Sequence, residues 1–84
     1  MKQIAIDCRD LSKEDLHRAL AERLNFPDWY GNNLDALYDQ LTSIAEDTHL
    51  TLAHFEDMKT CRRGFLRVFT DAVEENLYLS VTFE

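Results

Sequence analysis

Residues 29–42, WYGNNLDALYDQLT, decide how this chain of 84 residues is interpreted. Two aromatic residues open the stretch, a turn follows at residues 31–33, and a helix with acidic residues comes next. Asn33 suits the N-cap of that helix, because an asparagine side chain accepts a hydrogen bond from the first turn. The sequence predicts a helix over residues 34–44, because apolar residues recur there at helical spacing. They are Leu34, Leu37, Leu41 and Ile44.

The surroundings of this stretch lack basic residues. No Lys or Arg occurs between Arg23 and Lys59, whereas seven acidic residues do. A surface of one charge attracts a partner of the opposite charge, so the region favours contact with a cationic partner. Solubility alone also accounts for an acidic surface. The seven acids are Asp28, Asp35, Asp39, Glu46, Asp47, Glu56 and Asp57.

Length and composition restrict the class of protein. A chain of 84 residues has room for one domain, here residues 1–84. An apolar content of 45% predicts a folded protein despite the net charge of -7. The negative charge argues against nucleic acid and anionic membranes as partners. The sequence contains no long apolar run and no secretory signal, so we expect a cytoplasmic protein. Cys8 and Cys61 are then expected to be reduced and buried, and a disulfide between them is the alternative.

The order of predicted elements indicates the fold. Residues 2–7, 49–54 and 77–83 read as strands, and in the last of these Leu77, Leu79, Val81 and Phe83 are expected on the buried face. Ser12 opens a first helix with a capping box that ends in Asp15, and a third strong helix covers residues 62–75. Residues 55–61 are ambiguous, and a short helical turn is one interpretation of them. Strands separated by helices predict an α/β fold: a small three-stranded parallel sheet in two layers with three to four helices. The residues expected on the inner side of the third helix are Phe65, Leu66, Phe69, Ala72 and Val73.

Catalytic chemistry has little support in the sequence. The three histidines have no Ser or Cys partner at a recognisable spacing, and two glycines are too few for a phosphate-binding loop. Asp35, Asp39 and Asp71 have the oxygen ligands that a hard cation takes, but their spacing does not require a metal. We therefore predict that the chain is not an enzyme and has no cofactor and no metal site.

Asp35 and Asp39 are four residues apart and share one helix face with Tyr38 and Thr42. Asp35 in the first turn is explained by the helix dipole. Asp39 lies beyond that turn and has no Lys or Arg within four residues, so it is either plain solvated surface or part of a binding face.

Aromatic residues accompany these acids. Trp29 and Tyr38 are candidates for interface anchors, because aromatic side chains give large contact area at low entropic cost. Tyr30 is expected to cover the end of the core instead. On the third helix, Asp71 follows Arg67 by four residues, so a local ion pair is the alternative interpretation of that acid.

The stretch YGNNLDALYDQLT resembles the barstar family of intracellular inhibitors of a secreted ribonuclease, which share Tyr-Gly-x-Asn-Leu-Asp-Ala-Leu-aromatic-Asp. VFTDA at residues 68–72 is similar to another family segment, and the likeness extends over nearly the whole chain. The resemblance implies a three-stranded parallel sheet and a surface that blocks the ribonuclease active site. Acids on that surface would pair with the catalytic and phosphate-binding cations of the enzyme. The positions that match the family's contact residues are Trp29, Asp35, Tyr38, Asp39, Thr42 and Asp71.

Several positions depart from the family pattern. Trp29 replaces a tyrosine, Tyr38 and Ile44 replace tryptophans, and Asp71 replaces a glutamate. The segment between the second strand and the last helix is several residues shorter, so one helix is expected to be truncated or lost. The resemblance implies a binding protein, monomeric when free, whose partner is a basic ribonuclease-like toxin. The alternative function is an interaction module of the same fold with a regulatory, non-nuclease partner.

Overall fold

Three parallel strands form one sheet in the computed structural model, which describes residues 1–84. The central strand is the second in sequence, with Lys2 opposite Thr48 on one side and Thr48 opposite Leu79 on the other. The α/β fold with a three-stranded parallel sheet is therefore confirmed. In chain order the elements are β1 (Lys2–Asp7), α1 (Lys13–Leu24), α2 (Leu34–Thr42), β2 (Thr48–Ala53), a 3₁₀ turn (Phe55–Asp57), α3 (Arg62–Glu75) and β3 (Leu79–Phe83).

One face of the sheet supplies the core. Even-numbered residues of β1 and β2 are buried except for Lys2, and odd-numbered residues are exposed or half-buried, as expected when helices cover one face. Each helix contributes fully buried side chains to this single apolar layer. The fully buried residues from the helices are Leu16, Leu20, Leu37, Leu41, Phe65, Phe69 and Ala72.

Local signals set the beginnings of two helices as the sequence predicts. At α1 the Ser12 hydroxyl accepts the Asp15 N–H at 3.2 Å and the Asp15 carboxylate accepts the Ser12 N–H at 3.3 Å, which is a complete capping box. At α2 the Asn33 side-chain oxygen accepts the Ala36 N–H at 2.8 Å. The ambiguous residues 55–61 contain a short helical turn at Phe55–Asp57, which is the only helical segment between β2 and α3.

The structure corrects five expectations about element ends and burial. α2 ends at Thr42 instead of residue 44. β2 begins at Thr48, one residue earlier than predicted, and it ends at Ala53 because His54 adopts a left-handed conformation with φ of 56°. β3 begins at Leu79, and Leu77 is 97% exposed in the preceding turn. Leu66 is 41% exposed, because it lies on the flank of α3 beside the fully buried Phe65.

The two cysteines differ in environment. Both are free thiols, with Cys8 buried and Cys61 exposed, so the expectation that both are buried is wrong for Cys61. Cys61 immediately precedes α3 in a left-handed conformation and is exposed to solvent. Burial, with a smaller effect from the charge of Asp7, raises the pKa of Cys8 to about 11. No helix combines the length and the apolar character that crossing a bilayer requires.

Candidate functional site: the groove between helices α2 and α3

Helices α2 and α3 pack side by side and leave an open groove of about 510 Å³ between their exposed sides. Four of the six sequence-predicted site residues line it: Asp35, Tyr38 and Asp39 from α2, and Asp71 from α3. The structure thus brings together residues that are more than thirty positions apart in the chain. The remaining residues of the lining are Leu34, Gly64, Arg67 and Val68.

The acids on α2 point outward because the opposite face of the helix is buried. Leu37 and Leu41 are fully buried, and Asp35 and Asp39, displaced by half a turn, are exposed. Neither aspartate takes part in an ion pair anywhere in the structure, and α2 has no basic residue in its last turn. Two carboxylates four residues apart disfavour the helix by a few tenths of a kcal/mol, about 0.2–0.5. The helix dipole favours Asp35 in the first turn, whereas no charged partner on α2 offsets the charge of Asp39.

Tyr38 is the half-buried aromatic side chain of the groove. Partial burial raises the pKa of the Tyr38 phenol above its ordinary value of 10.0. Nearby carboxylates raise it further, and in order of effect they belong to Glu75, Asp71 and Asp39. The phenol therefore stays protonated and can donate a hydrogen bond in a strongly negative surrounding.

Glu75 is a residue that the sequence interpretation missed. Its charge acts on Tyr38 from α3, so the negative region extends one helical turn beyond Asp71. The signal was present, because residues 71 and 75 are four apart and share one helix face.

Arg67 and Gly64 shape the α3 side of the groove. The Arg67 Nε lies 4.0 Å from the Asp71 Oδ2, so the local ion pair considered for Asp71 exists, although both side chains are largely exposed. Such pairs contribute little to stability, about 0.3–0.5 kcal/mol. Gly64 has no side chain, and a Cβ there would come within 2.8 Å of the Leu34 Cδ1. A larger residue at position 64 would therefore require the end of the Leu34 side chain to move.

Trp29 and Tyr30 are neighbours in sequence but have opposite environments. Trp29 is 78% exposed in the turn before α2 and lies outside the groove lining. Tyr30 is buried, its ring packs on Phe26 at 4.9 Å, and its hydroxyl lies 2.6 Å from the His17 Nδ1. The expectation that Tyr30 covers the end of the core is confirmed. Burial raises the pKa of Tyr30 to about 12 and lowers that of His17.

Thr42 lies at the end of α2, away from the groove lining. Its hydroxyl donates to backbone carbonyls one turn earlier, at 2.8 Å from the Tyr38 oxygen and 3.2 Å from the Asp39 oxygen. The hydroxyl proton of Thr42 is thus hydrogen-bonded within the helix, while the hydroxyl oxygen remains able to accept a hydrogen bond. No group of three or more His, Cys, Asp or Glu side chains is arranged to hold a metal ion.

Comparison with known proteins decides the family. The family model described as Barstar (barnase inhibitor) matches residues 1–83. This chain belongs to the barstar family. A relative from Bacillus subtilis (strain 168), named "Putative ribonuclease inhibitor YrdF", is 44% identical over 77 residues, which covers 89% of this chain and 80% of the relative.

Buried Asn76 holds the acidic helix in place in this barstar-family chain. Its side-chain nitrogen donates to the carbonyls of Leu41 and Ile44 at 2.9 Å each, and its side-chain oxygen accepts the Tyr78 N–H at 2.9 Å. One side chain thus binds a carbonyl in the last turn of α2 and a carbonyl two residues after its end, and it fixes the turn into β3. This contact and the apolar packing of α2 on α3 together hold the two helices that form the groove.

Proposed function

We propose that this chain inhibits a ribonuclease of the barnase kind by covering its cationic active site with the α2–α3 groove and the turn before α2. The observation that carries the proposal is the pair of exposed carboxylates, Asp35 and Asp39, which have no ion-pair partner within the protein. Family membership supports the same function, because the family is described as barnase inhibitors.

The charge distribution suits this task. A ribonuclease binds a phosphodiester and therefore presents cationic side chains at its active site. Carboxylates on a rigid helix reproduce the negative charge of that backbone without offering a bond that can be cleaved. The net charge of -7 adds long-range attraction, which raises the association rate with a basic protein.

Each proposed contact residue has a separate role. The carboxylates of Asp35, Asp39 and Asp71 would pair with cations of the ribonuclease. Trp29 and Tyr38 would supply the apolar contact that excludes water from these pairs. The proposed partner-binding residues are Trp29, Asp35, Tyr38, Asp39, Thr42 and Asp71.

The free inhibitor would be a monomer in the cytoplasm, where a basic toxin endangers the RNA of its own producer. A reducing compartment also fits the two free thiols, one of which is exposed. Such an inhibitor needs neither a cofactor nor a metal.

Barnase inhibition measured over a range of salt concentrations tests this proposal. We expect inhibition at a ratio of one to one, with an association rate that falls steeply as ionic strength rises, because exposed charges guide the encounter. An absence of inhibition, or an association rate that does not change with salt, would overturn the proposed mode of binding.

A pull-down from the source cell complements this assay. The immobilised chain should retain a basic protein with ribonuclease activity that the free chain suppresses. Retention only of proteins without that activity would favour the regulatory interaction module instead.

A further inference from the structure

The groove contains one basic residue, Arg67, among its acidic residues. Arg67 lines the α3 side together with Asp71, opposite Asp35 and Asp39 on α2. Its side chain is 86% exposed and projects into solvent instead of packing on the fold. A surface that recognises only cations would gain nothing from a guanidinium at this place, because like charges across an interface weaken binding.

The fold does not need this guanidinium. Its one charged contact is with Asp71, at 4.0 Å between the Arg67 Nε and the Asp71 Oδ2, and both groups are largely exposed. The Arg67 side chain makes no hydrogen bond, whereas Arg62 donates to the Glu56 carboxylate at 2.7 Å and Arg23 to the Ala5 carbonyl at 2.9 Å. The planar fork of Arg67, with five N–H donors, is therefore available to a partner.

We propose that Arg67 is a specificity-determining residue, which selects a ribonuclease that presents a carboxylate to the α3 side of the groove among its cations. This inference rests on the proposed function. A partner that covers the groove removes water from the Arg67 guanidinium. Asp71, at 4.0 Å and itself proposed to pair with a cation of the partner, is a weak counter-charge for Arg67. The guanidinium then needs a further acceptor, and a carboxylate of the partner provides two parallel hydrogen bonds in the geometry of the fork. A ribonuclease with a cation at that place is rejected by repulsion.

The groove then has two sides with different requirements. The α2 side carries Asp35 and Asp39 and accepts cations, and the α3 side carries Arg67 beside Asp71 and accepts a mixed pair. Mixed charge on both surfaces fixes the relative orientation of the partners more strictly than a uniformly acidic surface does.

Binding kinetics with barnase separate this role from the general effect of charge. Arg67→Gln makes the chain more negative, so long-range attraction to a basic partner should leave the association rate equal or higher. Loss of a desolvated charge pair acts on dissociation, and we expect the dissociation rate to rise by about thirtyfold. Arg67→Lys, which keeps the charge but loses the fork, should fall between the wild type and Arg67→Gln.

Arg63→Gln is the matched control, because Arg63 lies one turn earlier on α3, is exposed and is outside the groove lining. It changes the net charge equally and should alter the dissociation rate by less than about twofold. All variants should keep the melting temperature of the wild type, since neither arginine supports the core.

Asp39→Ala in the same series distinguishes failure of this inference from failure of the proposed function. If Arg67→Gln dissociates like Arg63→Gln, or more slowly than the wild type, while Asp39→Ala loses binding, only the role of Arg67 is overturned. If Asp39→Ala also binds like the wild type, or if the wild type does not bind barnase, both proposals are overturned.

Discussion

Asp15 at the start of helix α1 and the two aspartates of helix α2, Asp35 and Asp39, have different surroundings. On α1 the Asp15 carboxylate accepts the Ser12 N–H and pairs with Arg18 at 3.3 Å, and Arg23 at the other end donates to the Ala5 carbonyl. On α2, Asp35 and Asp39 make no ion pair.

The difference separates charges that support the fold from charges that are available for binding. Hydrogen bonds from the Ser12 hydroxyl and backbone lower the pKa of Asp15, with Arg18 and Lys59 adding to the effect, so this carboxylate is stabilised as an anion by its own protein. The carboxylates of α2 lack such partners, and α2 is held instead by buried leucines and by Asn76. Substitutions on the two helices should therefore have opposite consequences.

The largest expected effect is that of Asp39→Ala on binding. Removing one member of a desolvated charge pair costs about 2–5 kcal/mol of affinity, because the partner's charge is left buried without a counter-charge. (The largest losses of this kind are those of barstar itself, so the expected direction also follows from membership of the family.) The free energy of unfolding should stay the same or rise slightly, since repulsion with Asp35 is relieved. Two measurements on one preparation check these expectations: inhibition of barnase reports the affinity, and unfolding by urea reports the stability.

Ser12→Ala on α1 is the control for this measurement, because it should change stability and not affinity. It removes the capping hydroxyl and should cost about 1 kcal/mol of stability with no loss of affinity. The comparison of the two helices is wrong if Asp39→Ala keeps full affinity or if Ser12→Ala weakens inhibition at a temperature where it remains folded.

Asn76→Ala should give the largest loss of stability among these substitutions. It leaves the carbonyls of Leu41 and Ile44 and the Tyr78 N–H without their side-chain partner. Unpaired buried polar groups are costly, and we expect a loss of about 2–3 kcal/mol in the free energy of unfolding by urea.

The matched variant for this measurement is Gln40→Ala, which removes an amide from α2 that makes no side-chain hydrogen bond. Its effect should stay below about 0.5 kcal/mol. Equal effects of the two substitutions would show that α2 does not depend on Asn76.

A smaller effect is expected from His17, which joins α1 to the turn before α2. Burial lowers the pKa of His17 below its ordinary value of 6.5, Lys13 lowers it slightly more, and Glu14 partly opposes them. The unfolded chain therefore binds a proton more readily than the folded chain just below pH 6.5. Stability is fully present above that pH and falls as the pH drops towards the folded-state pKa.

His17→Gln removes this titration and keeps a polar partner for the Tyr30 hydroxyl. The free energy of unfolding, measured between pH 8 and pH 5, should decline more steeply in the wild type than in the variant. The lowered pKa values of Asp7 and Asp15 act below their ordinary value of 3.8, outside this window. Parallel declines in the two proteins would exclude His17 as a source of acid sensitivity.

Signals that lie close together in the sequence predicted most of the fold. The capping box at Ser12, the N-cap at Asn33 and the apolar stripes of the helices are local features, and the structure contains them as expected. Strands separated by helices were enough to predict parallel pairing.

Features that depend on contacts between residues far apart in the chain could not be predicted from the sequence. β3 begins two residues late because the Asn76 side chain, engaged with α2, holds the Tyr78 N–H in a turn and leaves Leu77 in solvent. The spacing of Arg67, Asp71 and Glu75 places them on one face of α3, but this face joins the region around Asp39 only because α3 packs beside α2. No periodicity in the sequence reports which helices become neighbours.

The contact of Arg23 with β1 has a consequence for aggregation. β1 lies at an edge of the sheet, where outward carbonyls can template a strand of another chain. The Arg23 guanidinium donates to one of them, the Ala5 carbonyl, at 2.9 Å. A strand approaching this edge would first have to displace a charged side chain from its hydrogen bond. The Arg23 side chain thereby hinders pairing of another chain with the exposed edge of this three-stranded sheet.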